Sequence, residues 1–218
     1  GAVQSVLKNS GMYPSGKLVL AGAGPLVLQL ASQLIGAGIS ILAILDTSPK
    51  GSFLKALRHF PRALFAGDYL YKGWNLTNKI MQSNIKVYRN VTELNASGDG
   101  RLQNLSFKVN ETKHCLKADT LALHEGILPN VQLTRLLDLE HVWSPRQRSF
   151  SPVVNSWGET SLSGVFVVGD GAGVSGAKTA EYSGAIAGMI ILERLEYIKE
   201  SQRDLIIEDR KFRRLLDE

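Results

Sequence analysis

Residues 18–45 carry no charged side chain, and small residues divide that apolar run into pieces of strand, helix and strand length. Gly22, Gly24 and Pro25 interrupt it first, and Gly36, Ala37 and Gly38 interrupt it again. The pattern predicts a strand over Lys17–Ala21, a helix over Pro25–Ile35 and a strand over Ile39–Leu45 ending at Asp46. Buried parallel strands are apolar on both faces, so a βαβ unit reads as an uncharged stretch. A run of this length also satisfies a hydropathy criterion for a membrane span, but its breakers leave no continuous spanning helix. Pro25 suits a first helical turn, where the missing N–H costs nothing.

Elsewhere the alternation is weaker but legible. Residues 2–9 read as a short helix closing at Gly11, and residues 53–60 and 71–82 as two more helices separated by Pro61 and Gly67. Lys86–Arg89 reads as a strand. A turn at Ser97-Gly98-Asp99-Gly100 is flanked by Val91–Leu94 and Leu102–Val109, where Leu105, Phe107 and Val109 alternate with polar residues as in an antiparallel hairpin. Thr120–Leu123 adds a further strand. From Gly126 the character changes: a turn to Asn130, a helix over Val131–Leu139, a polar stretch to Val154 with Pro145 and Pro152, then Gly164–Asp170 as a fully buried strand. A long helix over Ala177–Ile198 and a charged surface helix in the last twenty residues complete the reading.

Composition narrows the class. The 218 residues include 44% hydrophobic and 21% charged positions, ordinary for a chain that buries its own core. A single cysteine, Cys115, cannot form an internal bridge or a redox-active pair. Much of the excess of 25 basic over 20 acidic residues sits in residues 135–148 and 203–214, neither of which offers a continuous basic face interleaved with aromatics, so no nucleic-acid partner follows from it. His59, His114, His124 and His141 are too scattered for a metal site, and none is expected. The amino terminus shows no secretory pattern, which makes a cytoplasmic location the expectation.

The chemistry centres on Gly22-Ala23-Gly24-Pro25-Leu26-Val27, a G-x-G-x-x-V turn between a strand and a helix. The first glycine permits the tight turn, the second lets backbone approach a pyrophosphate, and the helix start presents unpaired N–H groups. Val27 stands where glycine or alanine normally allows close packing. Asp46 closes the next strand, near the spacing of roughly 20 residues at which an acid bonds an adenosine ribose. Its charge repels a 2′-phosphate and favours NAD over NADP, with Lys50, Thr47 and Ser48 as contrary signals. The candidate cofactor residues are Gly22, Gly24, Pro25, Leu26 and Asp46, for NAD or another adenine nucleotide such as ATP. A crossover that uses its glycines only to turn is the alternative.

A second acid follows the Val165–Val168 stretch: Asp170 within Gly169-Asp170-Gly171-Ala172, all four being candidate cofactor residues. Downstream, Ala180, Gly184 and Gly188 form a small-residue stripe suited to close packing against a strand or ligand. The segments AGAGPLVLQLASQLIGAG, HEGILPNVQLTRLL and TSLSGVFVVGDGAGVSGAKTAEYSGAIAG resemble the FAD- and NAD-dependent pyridine nucleotide-disulfide oxidoreductase superfamily, from Gly1 to about Leu192. Within it the resemblance is to the flavoprotein subunits of opine oxidase, hydrogen cyanide synthase and dye-linked L-proline dehydrogenase. It implies an α/β fold: residues 1–15 as a connecting helix, 16–126 as a Rossmann-like NAD(P)-binding domain with parallel sheet and antiparallel hairpin, and 127–218 as the returning part of a split FAD-binding domain.

The resemblance further implies a part of an oxidoreductase whose parent subunit oxidises an amine or amino acid by hydride transfer to flavin. In it Asp170 contacts the ribityl or pyrophosphate region of FAD, and a partner subunit completes a hetero-oligomer. An earlier glycine fingerprint is missing, and the dithiol of the family's disulfide reductases has no counterpart beside Cys115. The expectation is therefore a central portion of a longer flavoenzyme, inactive alone. His124-Glu125 could face the cofactor, but spacing identifies no catalytic residues. The alternatives are a non-catalytic subunit that binds an adenine nucleotide, and an assembly module with a basic tail.

Overall fold

The computed structural model describes residues 1–51 and 67–217; the helix expected over 53–60 lies outside them. The chain divides into two compact units, Gly1–Glu125 and Gly126–Glu218.

In the amino-terminal unit, α1 (Ala2–Ser10), β1 (Leu18–Gly22), α2 (Pro25–Gly36) and β2 (Ile41–Asp46) are followed by α3 (Gly67–Met81) and β3 (Lys86–Arg89). Then come β4 (Val91–Ser97), β5 (Asn104–Val109), β6 (Thr112–Lys117) and β7 (Thr120–His124). A four-stranded parallel sheet has the order β3-β2-β1-β7. All five residues of β1 are buried because β1 has neighbours on both edges and cover on both faces. Alternation along the strands separates two cores. Leu18, Leu20, Ile41 and Ile44 face α2 through Val27, Ala31 and Leu34, with Ile80 of α3 and Val3 and Leu7 of α1 beside them. Val19, Ala21, Ala43 and Leu45 face Leu105 and Phe107 on the opposite side.

That opposite cover is a three-stranded antiparallel sheet, β4-β5-β6, rather than the expected hairpin. The sequence Thr112-Lys113-His114-Cys115-Leu116-Lys117 hides β6, because an edge strand needs only its inward positions apolar. Cys115 lies within β6 and is exposed. β4 also runs further than expected, with an irregularity between Thr92 and Asn95 where Glu93 takes φ +48°.

The carboxyl-terminal unit contains α4 (Gln132–Leu136), the hairpin β8 (His141–Ser144) and β9 (Ser149–Pro152), a single 3-10 turn at Gly169–Gly171, α5 (Ala177–Arg194) and α6 (Glu200–Asp217). The hairpin occupies the stretch read as irregular and polar. Gly164–Asp170 is not the fully buried strand expected. Among the described residues it pairs on one side only, through the bridge Glu159/Phe166 and the bonds Val167 N–H to Gly158 O (2.7 Å) and Thr160 N–H to Val165 O (2.9 Å). Val165–Val168 stay half-buried as a result.

Both helices of this unit that lie between turns stop earlier than their patterns suggest, and for one reason. At α5, Tyr197 N–H bonds Leu192 O (2.9 Å) and Glu196 N–H bonds Glu193 O (2.9 Å), with Glu196 left-handed at φ +60°. At α4, Leu139 N–H bonds Thr134 O (3.0 Å) and Asp138 N–H bonds Arg135 O (3.1 Å), with Asp138 at φ +52°. These paired closing bonds satisfy the last carbonyls and terminate the helix.

Candidate functional site

The carboxyl edge of the parallel sheet brings four residues into one row. Gly22 is opposite Asp46 on one side and His124 on the other, and Asp46 is opposite Arg89. By strand alternation all four emerge on the face covered by α2, since their neighbours Ala21, Leu45 and Tyr88 belong to the other core. Strands β1, β2 and β3 step away in one direction and β7 lies on the other side of β1, so the order reverses at β1. Open α/β sheets bind ligands outside the carboxyl ends of their strands at such a point.

Gly22 is forced by its neighbours. Its φ is +145°, and a Cβ there would lie 2.2 Å from the His124 carbonyl oxygen, so only glycine lets β1 and β7 close together. Gly24 has φ +88°, yet among the described residues a Cβ would meet nothing within 4 Å. Gly24 is the residue before α2, with no side chain of its own to cap the helix that Pro25 opens. Ala23, Gly24, Pro25 and Leu26 are exposed. The first amides of α2 therefore point past a cradle of backbone rather than side chain. Val27 is turned inward and buried among Leu18 and Leu20, so the side chain at the unusual third position fills core rather than cleft.

Asp46 is half-buried, and its Oδ1 accepts from Ser48 N–H (2.9 Å). Thr47 N–H bonds Gly22 O (3.1 Å), which ties the residue after β2 to the glycine turn. Asn90 Nδ2–H donates to Ser48 O (3.1 Å), fastening the same loop to the end of β3. The structure thus brings Gly22, Gly24, Pro25, Leu26 and Asp46 together. Arg89 and Asn90 were missed: nothing in local sequence says that β3 lies beside β2 in this register.

The second candidate segment lies in the other unit. Gly169 takes φ +65° and its missing Cβ would stand 3.2 Å from Ala180 Cβ, so α5 approaches the turn closely there. Asp170 is exposed at the turn. Gly169, Ala172 and Gly173 line a groove of about 260 Å³ together with Trp157, Thr179 and Ser183, whereas a Cβ at Gly184 or Gly188 would meet none of the described residues within 4 Å. Of the small-residue stripe, Ala180 packs as expected.

Two polar brackets hold this groove, and neither was visible in the sequence. Gln147 donates to Val174 O (2.9 Å) and accepts from Val174 N–H (3.3 Å). Glu159 accepts from both terminal guanidinium nitrogens of Arg194, the longer contact being 2.6 Å, and also from the Gly164 N–H (3.0 Å). Arg194, helped by that backbone bond, holds the Glu159 carboxyl down at about 2. Among the described residues no group of side chains could hold a metal ion, and no helix is long and apolar enough to cross a membrane.

No protein-family model matches the sequence. The A-subunit of opine oxidase from Rhizobium meliloti is 38% identical over 192 residues, covering 88% of this chain and 36% of that protein. Its counterpart from Agrobacterium tumefaciens (strain Ach5), also an opine oxidase A-subunit, is 35% identical over 210 residues, covering 96% and 41%. Hydrogen cyanide synthase subunit HcnB of Pseudomonas aeruginosa is 27% identical over 210 residues, covering 93% and 44%. Among solved structures, bacillithiol disulfide reductase from Staphylococcus aureus superposes with TM-score 0.55 at 16% identity, over 84% of this chain and 52% of that one. The chain belongs to the family of the opine oxidase A-subunits, and its fold is that of the disulfide reductase.

L-proline dehydrogenase from P. horikoshii shares this fold, with TM-score 0.55 at 14% identity over 95% of this chain and 32% of that one. The chain spans less than half the length of the curated relatives it matches, from 36% to 44%.

Proposed function

We propose that this chain is the central part of one subunit of an FAD- and NAD-linked oxidoreductase whose parent oxidises an amine or amino acid at a C–N bond. Residues 16–126 act as the NAD-binding domain, residues 127–218 as the returning part of the split FAD-binding domain, and residues 1–15 as the connection into them. The observation that carries the reading is the placement of the Gly22–Gly24 turn and Asp46 at adjacent carboxyl ends where the strand order reverses.

The residues fit an adenine dinucleotide. Backbone at Gly22 and Gly24, with the first turn of α2 at Pro25 and Leu26, would hold the pyrophosphate beside Gly24, where no described residue would meet a Cβ. Asp46 keeps one carboxylate oxygen for the ribose diol, the other being held by Ser48. In the other unit, Gly169, Asp170, Gly171 and Ala172 would hold the ribityl–pyrophosphate region of FAD, with the exposed carboxylate of Asp170 available to hydroxyls. The cofactors supply the hydride chemistry, and this chain positions them. The relatives are named as subunits, which supports a hetero-oligomeric parent; we place it in the cytoplasm.

The test is titration of the 218-residue chain with NAD, NADH, ATP and FAD, followed by tryptophan fluorescence. Saturable NADH binding is expected, weakened at least roughly ten-fold in Asp46→Ala by loss of a charge-assisted bond to the ribose. Binding of ATP but not NADH would transfer the site to a non-catalytic adenine nucleotide, and unchanged NADH affinity in Asp46→Ala would remove Asp46 from it.

A further inference from the structure

We infer that Arg89 is the adenine-recognising residue of the nucleotide site, its guanidinium stacking on the base; the inference rests on the dinucleotide reading of the Gly22–Asp46 turn. The sheet order places Gly22, Asp46 and Arg89 in consecutive register across β1, β2 and β3. Neighbouring strands are about 4.8 Å apart, so Arg89 stands one strand beyond Asp46 and roughly two from Gly22. The adenosine half of a dinucleotide runs from pyrophosphate through ribose to base. With the first at Gly22 and the second at Asp46, the base comes over the end of β3.

What stands there is suited to it. Arg89 is exposed, shares the α2 face with Asp46 and forms no ion pair among the described residues, although the Asp46 carboxylate is its register neighbour. Tyr88 turns the other way and packs against Phe107. Directly after Arg89, Asn90 adopts φ +55° and ties its side chain to Ser48 O. The chain turns off there, leaving Arg89 at the rim of the clamped 46–48 loop. A guanidinium is planar, delocalised and weakly hydrated, which fits it to lie on an aromatic face. The alternative partner for this cation, a 2′-phosphate, would have to sit against the Asp46 carboxylate, whose charge opposes it.

The experiment is calorimetric titration of the full chain and its Arg89→Ala and Arg89→Lys variants with ADP-ribose and with 2′-phospho-ADP-ribose. Arg89 is exposed on the surface, so neither substitution removes buried packing. Arg89→Ala is expected to weaken ADP-ribose roughly five-fold, and Arg89→Lys to restore little of it, because an ammonium keeps the charge but loses the plane. Undiminished ADP-ribose affinity in Arg89→Ala, full rescue by Arg89→Lys, or a loss confined to 2′-phospho-ADP-ribose would each overturn the adenine role while leaving the dinucleotide site standing. Failure of the unsubstituted chain to bind ADP-ribose would overturn both.

Discussion

The two units differ in where their strands find partners. In the amino-terminal unit β1 is bonded on both edges and covered on both faces, and its apolar residues are all buried. In the carboxyl-terminal unit the equally apolar Val165–Val168 has one bridge among the described residues and stays half-buried. An apolar run states that a segment wants cover; whether it becomes a strand depends on another segment supplying a ladder. The first unit supplies it through βαβ crossovers, whereas the second, among the described residues, offers the short return at 158–160.

The largest expected effect breaks that contrast on the first unit's side. Gly22→Ala places a Cβ 2.2 Å from the His124 carbonyl at φ +145°. Strain and forced separation of β1 from β7 together cost about 3 kcal/mol or more. Urea denaturation should show a lower midpoint for this unit, whereas Gly24→Ala, whose Cβ would meet none of the described residues, should perturb the backbone more than the packing and so cost less. Equal midpoints for the two variants would show that the β1–β7 approach does not depend on glycine.

Next comes an acid-dependent effect confined to the second unit. The folded Glu159 carboxyl sits at about 2, below its ordinary 4.5, because Arg194 and the Gly164 N–H bond its charged form. A depressed folded value stabilises fully above the unfolded one and fades as pH falls from about 4.5 toward 2. Acid titration followed by Trp157, which lies in this unit, should therefore show a loss of stability across that window. Glu159→Gln removes the pH dependence there and is less stable at pH 7. An unchanged acid profile in Glu159→Gln would deny the bracket any role in holding the groove.

Legibility followed the same division. The Gly22–Gly24 turn, α2 and Asp46 were readable because each is a local signal: breaker residues, a Val27-Ala31-Leu34 stripe, an acid after a strand. Arg89 was not readable, because its relevance comes from β3 lying beside β2, a non-local fact. β6 was hidden by its exposed face, and the Glu159–Arg194 and Gln147–Val174 brackets join positions far apart in sequence. Asp170 was legible as a motif, but its setting was not, since the ladder expected to bury Val165–Val168 is reduced to one bridge.

Helix ends sharpen the comparison at the smallest scale. α2 closes with Ile39 N–H on Leu34 O (2.9 Å) and Gly38 N–H on Ile35 O (3.0 Å), and Gly38 takes the left-handed turn at φ +74°. α4 and α5 close with the same pair of bonds, but Asp138 and Glu196 occupy the left-handed position. A glycine marks such a stop in sequence, and an acid does not, which is why both helices were read too long. Left-handed backbone costs a residue with a Cβ about 1–2 kcal/mol, partly offset by the extra unfolded freedom of glycine. Asp138→Gly and Glu196→Gly should each stabilise the second unit by about 0.5–1 kcal/mol, and Gly38→Ala should destabilise the first by a similar amount. Both acids are exposed, so little but the backbone changes. Thermal or urea midpoints measure it: a destabilising Asp138→Gly would mean that the carboxylate, and not the bond pattern, sets where α4 stops.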